Sequence, residues 1–172
     1  LAQKAGFRVH LGSLEAQKYP VETFDARTLN HVIEHVPDPL GTIRGCHRVL
    51  KPNGRLVIFT PNASSFSHRY FKKDWRGLEP PIHLHIFTFK SARRLFTECG
   101  FADIYVSPDI GTSASFESYL LKSGQYANNA VAQRGWRRRP FWRLYSIFQH
   151  VTVSFSPNVA ECLRVVATKK GM

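Results

Sequence analysis

The run "RLVIFTP", residues 55 to 61, is an almost unbroken apolar stretch that follows "KPNG". Such a run has the look of a parallel strand covered on both faces, and it limits the folds open to the chain. Upstream, Asp38 and Pro39 supply an N-cap and a first-turn proline, and Leu40, Ile43, Cys46/His47 and Leu50 repeat at helical spacing. That helix should stop near Lys51. "FDARTLNHV", 24 to 32, reads as a strand before it, so the three segments form a βαβ unit, whose crossover should be right-handed.

The alternation continues on both sides. "SARRLFTECG" reads as a helix capped by Thr88 and ended by Gly100, leading into the strand "ADIYVS", and "ECLRVVATKK", 161 to 170, is the last strand candidate. At the other end, "LAQKAG" reads as a helix tail with Gly6 as C-cap, followed by a strand in "FRVHLG", 7 to 12. The stretch 112 to 158 breaks the pattern as a helical, basic and aromatic insertion. The fold class is therefore α/β. With 172 residues, 43% of them apolar, one domain over 1–172 is expected. The chain opens at Leu1 inside what reads as a helix tail, so it is expected to be a portion of something longer.

Cys46, Cys99 and Cys162 are far apart and odd in number, which suggests neither a disulfide framework nor a cysteine zinc site, and fits a reducing cytoplasm. No stretch reads as a transmembrane span. The net charge of +12 is concentrated in "RGWRRRPFWR", where Arg134, Arg137, Arg138, Arg139 and Arg143 are interleaved with Trp136, Phe141 and Trp142. Anionic lipid, nucleic acid or an acidic substrate would suit such a run, and so would a solvated helix face.

"HVIEHVPDP", 31 to 39, contains an H-x-x-E-H pattern, which on a helix can hold zinc between two histidines with the glutamate as base. Here it straddles a strand end and runs into Pro37 and Pro39, which leaves little helix and argues against a metallopeptidase. The alternative follows from the rule that ligands of open α/β sheets bind outside the carboxyl ends of the strands. Three such ends, Gly12 to Glu15, Asn30-His31 with Glu34-His35, and Thr60-Pro61-Asn62, should converge on one crevice.

"FDARTLNHVIEHVPDPLGTIRGCHRVLKPNGRLVIFTPN" resembles the fourth strand, following helix and fifth strand of class I S-adenosylmethionine-dependent methyltransferases. The E-H-V-x-D-P turn and the L-K-P-x-G-R-L bend are its particular marks. "WRGLEPPIHLHIFTFKSARRLFTECGF" is similar to the continuation in a small-molecule branch close to the ubiquinone-type enzymes. The resemblance runs from about Phe7 to Phe101 and returns in "ECLRVVATKK". It implies a partial Rossmann-like sheet from the third strand onward, with an antiparallel last strand; in the family's strand order Phe7 to Gly12 would then lose its neighbours and either pair with another molecule or fray. The family's glycine-rich turn and the acidic end of its second strand have no counterpart, and no G-x-G occurs in the chain.

The resemblance also implies roles. Ser13, Leu14 and Glu15 stand where the family contacts the adenine of S-adenosylmethionine, and Asn30 and His31 where the methionine portion and methyl group pass. His31, Glu34 and His35 match a segment that in ubiquinone-type enzymes holds a divalent metal, although local hydrogen bonding is the commoner fate of such residues, so no metal is expected. His83 and His85, alternating in "IHLHI", are candidates for the group that takes the acceptor's proton, or for a polar pair anchoring the loop. Tyr70, Trp75 and Arg76 would shape an acceptor pocket, unless their aromatic stripe is core.

Two function classes stand. One is methyl transfer to O or N of a small-molecule, lipid-linked or glycan acceptor, in the cytoplasm or at the membrane periphery, with the arginine cluster against anionic lipid and no specific nucleic acid. On that reading the isolated chain would bind the cofactor poorly. The other is a non-catalytic basic module, a degenerate methyltransferase fold that binds polyanions or a membrane surface.

Overall fold

The computed structural model describes residues 2–110, 118–119, 122 and 140–171, with side chains from 144 onward in the last stretch. Its centre is a four-stranded sheet of β1 (Phe24–Asn30), β2 (Leu50–Pro61), β3 (Phe101–Asp109) and β4 (Cys162–Lys169) in the order β1-β2-β4-β3. β1 and β2 run parallel, and β4 runs antiparallel to both of its neighbours. The chain is α/β, and the last strand lies as expected.

Helix α1 (Pro39–Val49) begins where Asp38 accepts a 2.9 Å hydrogen bond from the Gly41 amide, and buries Ile43, Cys46 and Val49. A short helix α2 (Phe66–Phe71) follows β2, and α3 (Phe89–Glu98) opens with a reciprocal cap between Thr88 and Ser91. Helix α4 (Pro140–Phe155) precedes β4. Ile43 and Cys46 of α1 and Ala92 and Phe96 of α3 meet Leu56 and Ile58 of β2 and Leu163, Val165 and Ala167 of β4 in one apolar cluster. Burying these side chains away from water is the main stabilising contribution, at about 1.5–3 kcal/mol for each large one.

Three expectations need correction. "FRVHLG", 7 to 12, forms no strand, and Phe7, Val9 and Leu11 are exposed. A strand is held by the hydrogen bonds of its neighbours, and none of the described strands pairs with this segment. Among the described residues β2 is covered more fully on one face: Leu56, Ile58 and Thr60 are buried, while Val57 and Phe59 on the other are only partly buried. The apolar run reflects a strand inside the sheet, between β1 and β4. β2 also begins earlier than expected, at Leu50, so that "KPNG" belongs to it. An added Cβ on Gly54 would meet the Lys51 carbonyl at 2.8 Å and the Asp25 carbonyl at 3.1 Å, which explains the glycine in that bend.

Candidate functional site

The carboxyl ends of β1 and β2 and the start of antiparallel β4 lie at the same edge of the sheet, with Pro61 paired to Cys162. There a cleft of about 230 Å³ is lined by His31 and His35 after β1, by Trp75, Arg76, Glu79 and His83 from the segment after α2, and by Glu161 and Cys162.

His31 leaves β1 with φ +50°, an uncommon conformation for a side chain larger than Gly or Asn, while its amide still donates to the Phe59 carbonyl at 3.0 Å. This turn directs Nδ1–H onto Glu34 Oε1 at 3.0 Å. Glu34 is fully buried, and its second oxygen accepts from the Thr60 hydroxyl at 3.1 Å. Burial pushes the Glu34 carboxyl up, but the hydrogen bonds from His31, the backbone and Thr60, with the charge of His31, outweigh it and hold the carboxyl below its usual range. The hydrogen bond to Glu34 raises His31 above its ordinary value, against the opposing effect of burial.

His35 and His83 face each other with ring centroids 4.7 Å apart. His35 donates from Nδ1 to the Ile82 carbonyl at 3.2 Å, and His83 from Nδ1 to the Gly77 carbonyl at 2.7 Å. Since a carbonyl only accepts, each neutral ring keeps its lone pair on Nε2. His83 Nε2 is 3.5 Å from Glu79, which also pairs with Arg76. The indole of buried Trp75 donates to buried Glu161 at 2.8 Å.

The segment from His31 to His35 thus lies on a bend and turn, not on a helix. One group of described residues, Glu34, His35 and His83, presents ligand atoms all within 4.8 Å of one another. This differs from the trio His31, Glu34 and His35, because His83 replaces His31. Two imidazoles and a carboxylate suit zinc or manganese, and Nδ1–H bonds to carbonyls are the usual support of metal-bound histidines. Both Glu34 oxygens already accept hydrogen bonds, so an ion there would compete with His31 and Thr60 for them.

The other candidates divide. Trp75 and Arg76 line the cleft, whereas Tyr70 is exposed and stacks on Phe66. His83 lines it and His85 does not. Period two places both on one side, but the amides of Leu84 and His85 both donate to the Glu34 carbonyl, which bends the segment away from a regular strand. Of the cofactor candidates, His31 alone borders the cleft. Asn30 is exposed at the end of β1, and Ser13 and Glu15 are exposed on a turn that the Ser13 hydroxyl caps by accepting from the Ala16 amide. Leu14 packs against the core cluster. Arg134, Arg137, Arg138 and Arg139, and the side chain of Arg143, lie outside the described residues. Sequence reasoning missed Glu79 and Glu161. For Glu161 a signal existed, since the first residues of an antiparallel final strand must lie beside the carboxyl ends of its parallel neighbours.

A mixed α/β sheet with its cleft at this edge is the architecture of class I methyltransferases. The methyltransferase domain family matches residues 2–106, more than half of the chain, and the chain belongs to that family. It is similar to the ubiquinone biosynthesis O-methyltransferase of Pseudomonas syringae, with 47% identity over 47 residues, 27% of this chain and 20% of that protein. The chain thus matches about a fifth of the length of such curated relatives. Among solved structures, it resembles a SAM-dependent methyltransferase from Thermotoga maritima (TM-score 0.64, 18% identity, 98% of this chain and 67% of that one). A SAM-dependent methyltransferase from Archaeoglobus fulgidus is also similar (TM-score 0.54, 16% identity, 94% and 66%). At these identities the structures speak for the fold. No helix among the described residues is long and apolar enough to cross a membrane.

Proposed function

We propose that this chain supplies the acceptor side of an S-adenosylmethionine-dependent methyl transfer to an oxygen or nitrogen of a small molecule, lipid-linked or glycan acceptors included. The observation that carries the reading is the convergence of His31, His35 and His83 in one cleft at the carboxyl ends of parallel strands. When bound, S-adenosylmethionine supplies an electrophilic methyl on a sulfonium. On this reading His31, at the cleft, borders the methyl-bearing end of that molecule.

Within the cleft, His83 takes the acceptor's proton. Its Nδ1–H is fixed on the Gly77 carbonyl, so Nε2 is the basic atom. Glu79 lies beside it to stabilise the imidazolium once formed. Trp75 and Arg76 form the wall that orients the acceptor for in-line attack, and such alignment carries much of the acceleration in a displacement of this kind.

Calorimetric titration of S-adenosylmethionine into the full-length protein tests the reading. Saturable heat supports it. Absence of heat from the folded protein favours the second reading, a basic module binding polyanions, which the net charge of +12 supports. Such a module would lose nucleic-acid affinity steeply with salt.

A further inference from the structure

Helix α4 is amphipathic in the inverse sense. Its inward side carries Tyr145 and Gln149 along with Val153: the Tyr145 hydroxyl lies 3.0 Å from Ser67 Oγ and accepts from Gln149 Nε2 at 3.1 Å, and Gln149 and Val153 are buried. The opposite side carries Leu144, Ile147, Phe148, Val151 and Phe155. At spacings of 3, 4, 7 and 11 from Leu144 these fall on one stripe, and each is between 46% and 88% exposed. The stripe continues onto α2. Phe148 packs edge-on against Phe66 at 5.4 Å, Phe66 stacks on exposed Tyr70 at 6.2 Å, and the Lys122 ammonium sits 4.7 Å over the Tyr70 ring.

A helix of this length extends about 24 Å. It is too short and too polar to cross a bilayer. α4 contains no acidic residue, five arginines lie between 134 and 143 in the sequence, and Lys72 and Lys73 are exposed just after α2. An apolar stripe on a helix without carboxylates, with Lys122 over its Tyr70 end and Lys72 and Lys73 exposed just after α2, matches the chemistry of an anionic lipid surface. A second copy of the chain fits less well, since a two-fold contact would bring together two chains that each carry a net charge of +12.

We propose that the Leu144, Ile147, Phe148, Val151 and Phe155 face of α4, extended by Tyr70, lies in the headgroup plane of an anionic bilayer. The proposal is independent of the methyl-transfer reading. It is tested by co-sedimentation of the full-length protein with phosphatidylcholine vesicles with and without phosphatidylglycerol, for wild type and for the double variant Ile147→Glu, Val151→Glu. The expected result is binding to the phosphatidylglycerol vesicles at low salt, weakened by salt and reduced at least about tenfold in the variant, as withdrawing two apolar side chains from the bilayer requires. Because both positions are exposed, the variant's thermal midpoint should stay at the wild-type value, so that lost binding is not lost folding. No sedimentation at low salt overturns the proposal, as does equal binding by the variant. A concentration-dependent dimer that the variant abolishes also overturns it, in favour of a second copy on this face.

Discussion

Trp75 and Glu161, 86 residues apart, are joined by a 2.8 Å hydrogen bond from the indole N–H to a carboxylate buried just before β4. The bond ties the segment after α2 to the sheet and sets one wall of the cleft. Trp75→Phe deletes the donor but keeps an aromatic ring in place. The expected loss is about 1.5–3 kcal/mol, the range for hydrogen bonds to charged groups, read from chemical denaturation. A change under about 0.5 kcal/mol would show the contact to be energetically silent.

The His31–Glu34 pair predicts a pH dependence with a defined sign. His31 is raised above 6.5, so its stabilising contribution is complete below 6.5 and disappears as pH climbs through the raised value. Glu34 is lowered below 4.5, so its contribution is complete above 4.5 and disappears as pH falls through the lowered value. The stability difference between wild type and His31→Gln should therefore be widest between these limits and shrink above neutrality. Proton NMR gives a direct check: His31 should titrate above 6.5 and return toward it in Glu34→Gln, whereas His47, lowered mainly by burial and then by Lys169, should titrate below 6.5.

The thiols should be silent in the native protein. Burial pushes Cys46 up to about 11 and raises Cys99 and Cys162 as well. An aromatic disulfide reagent at pH 8 should label none of the three until denaturant is added. Rapid labelling of Cys162 would mean that the cleft opens far enough to admit the reagent.

Gly54 sits where a side chain would collide with two backbone carbonyls. Gly54→Ala should cost about 1–3 kcal/mol, the usual range for overpacking, measured as a lowered denaturation midpoint with unchanged slope.

Histidine roles separate by activity. His83→Asn should lower methyl transfer by about a hundredfold or more, the range for loss of a general base, while His85→Asn should change it far less. Equal losses would return His85 to the site.

What was legible in the sequence was local. Asp38 before Pro39 marks the start of α1 because the cap acts within one turn, and Thr88 with Ser91 marks α3 for the same reason. The apolar run at 55–61 announces β2 from its own residues. What depends on distant partners was not legible. Whether 7–12 pairs is decided by its neighbours, and which of His83 and His85 enters the cleft is decided by the Glu34 carbonyl, about fifty residues away. Glu161 joins the site only once β4 is known to run antiparallel to β2.

β1 finally bears on how the protein must be handled. It pairs with β2 on one side, and no described strand occupies the other. A row of amides and carbonyls on that side offers a template to any extended chain, including another copy of the same protein. Wherever that edge is open, concentrated stocks should drift toward insoluble, strand-linked aggregates. A short peptide supplied in solution to fill that place would act as a stabiliser, and one carrying a fluorophore would report how much of the edge stays open.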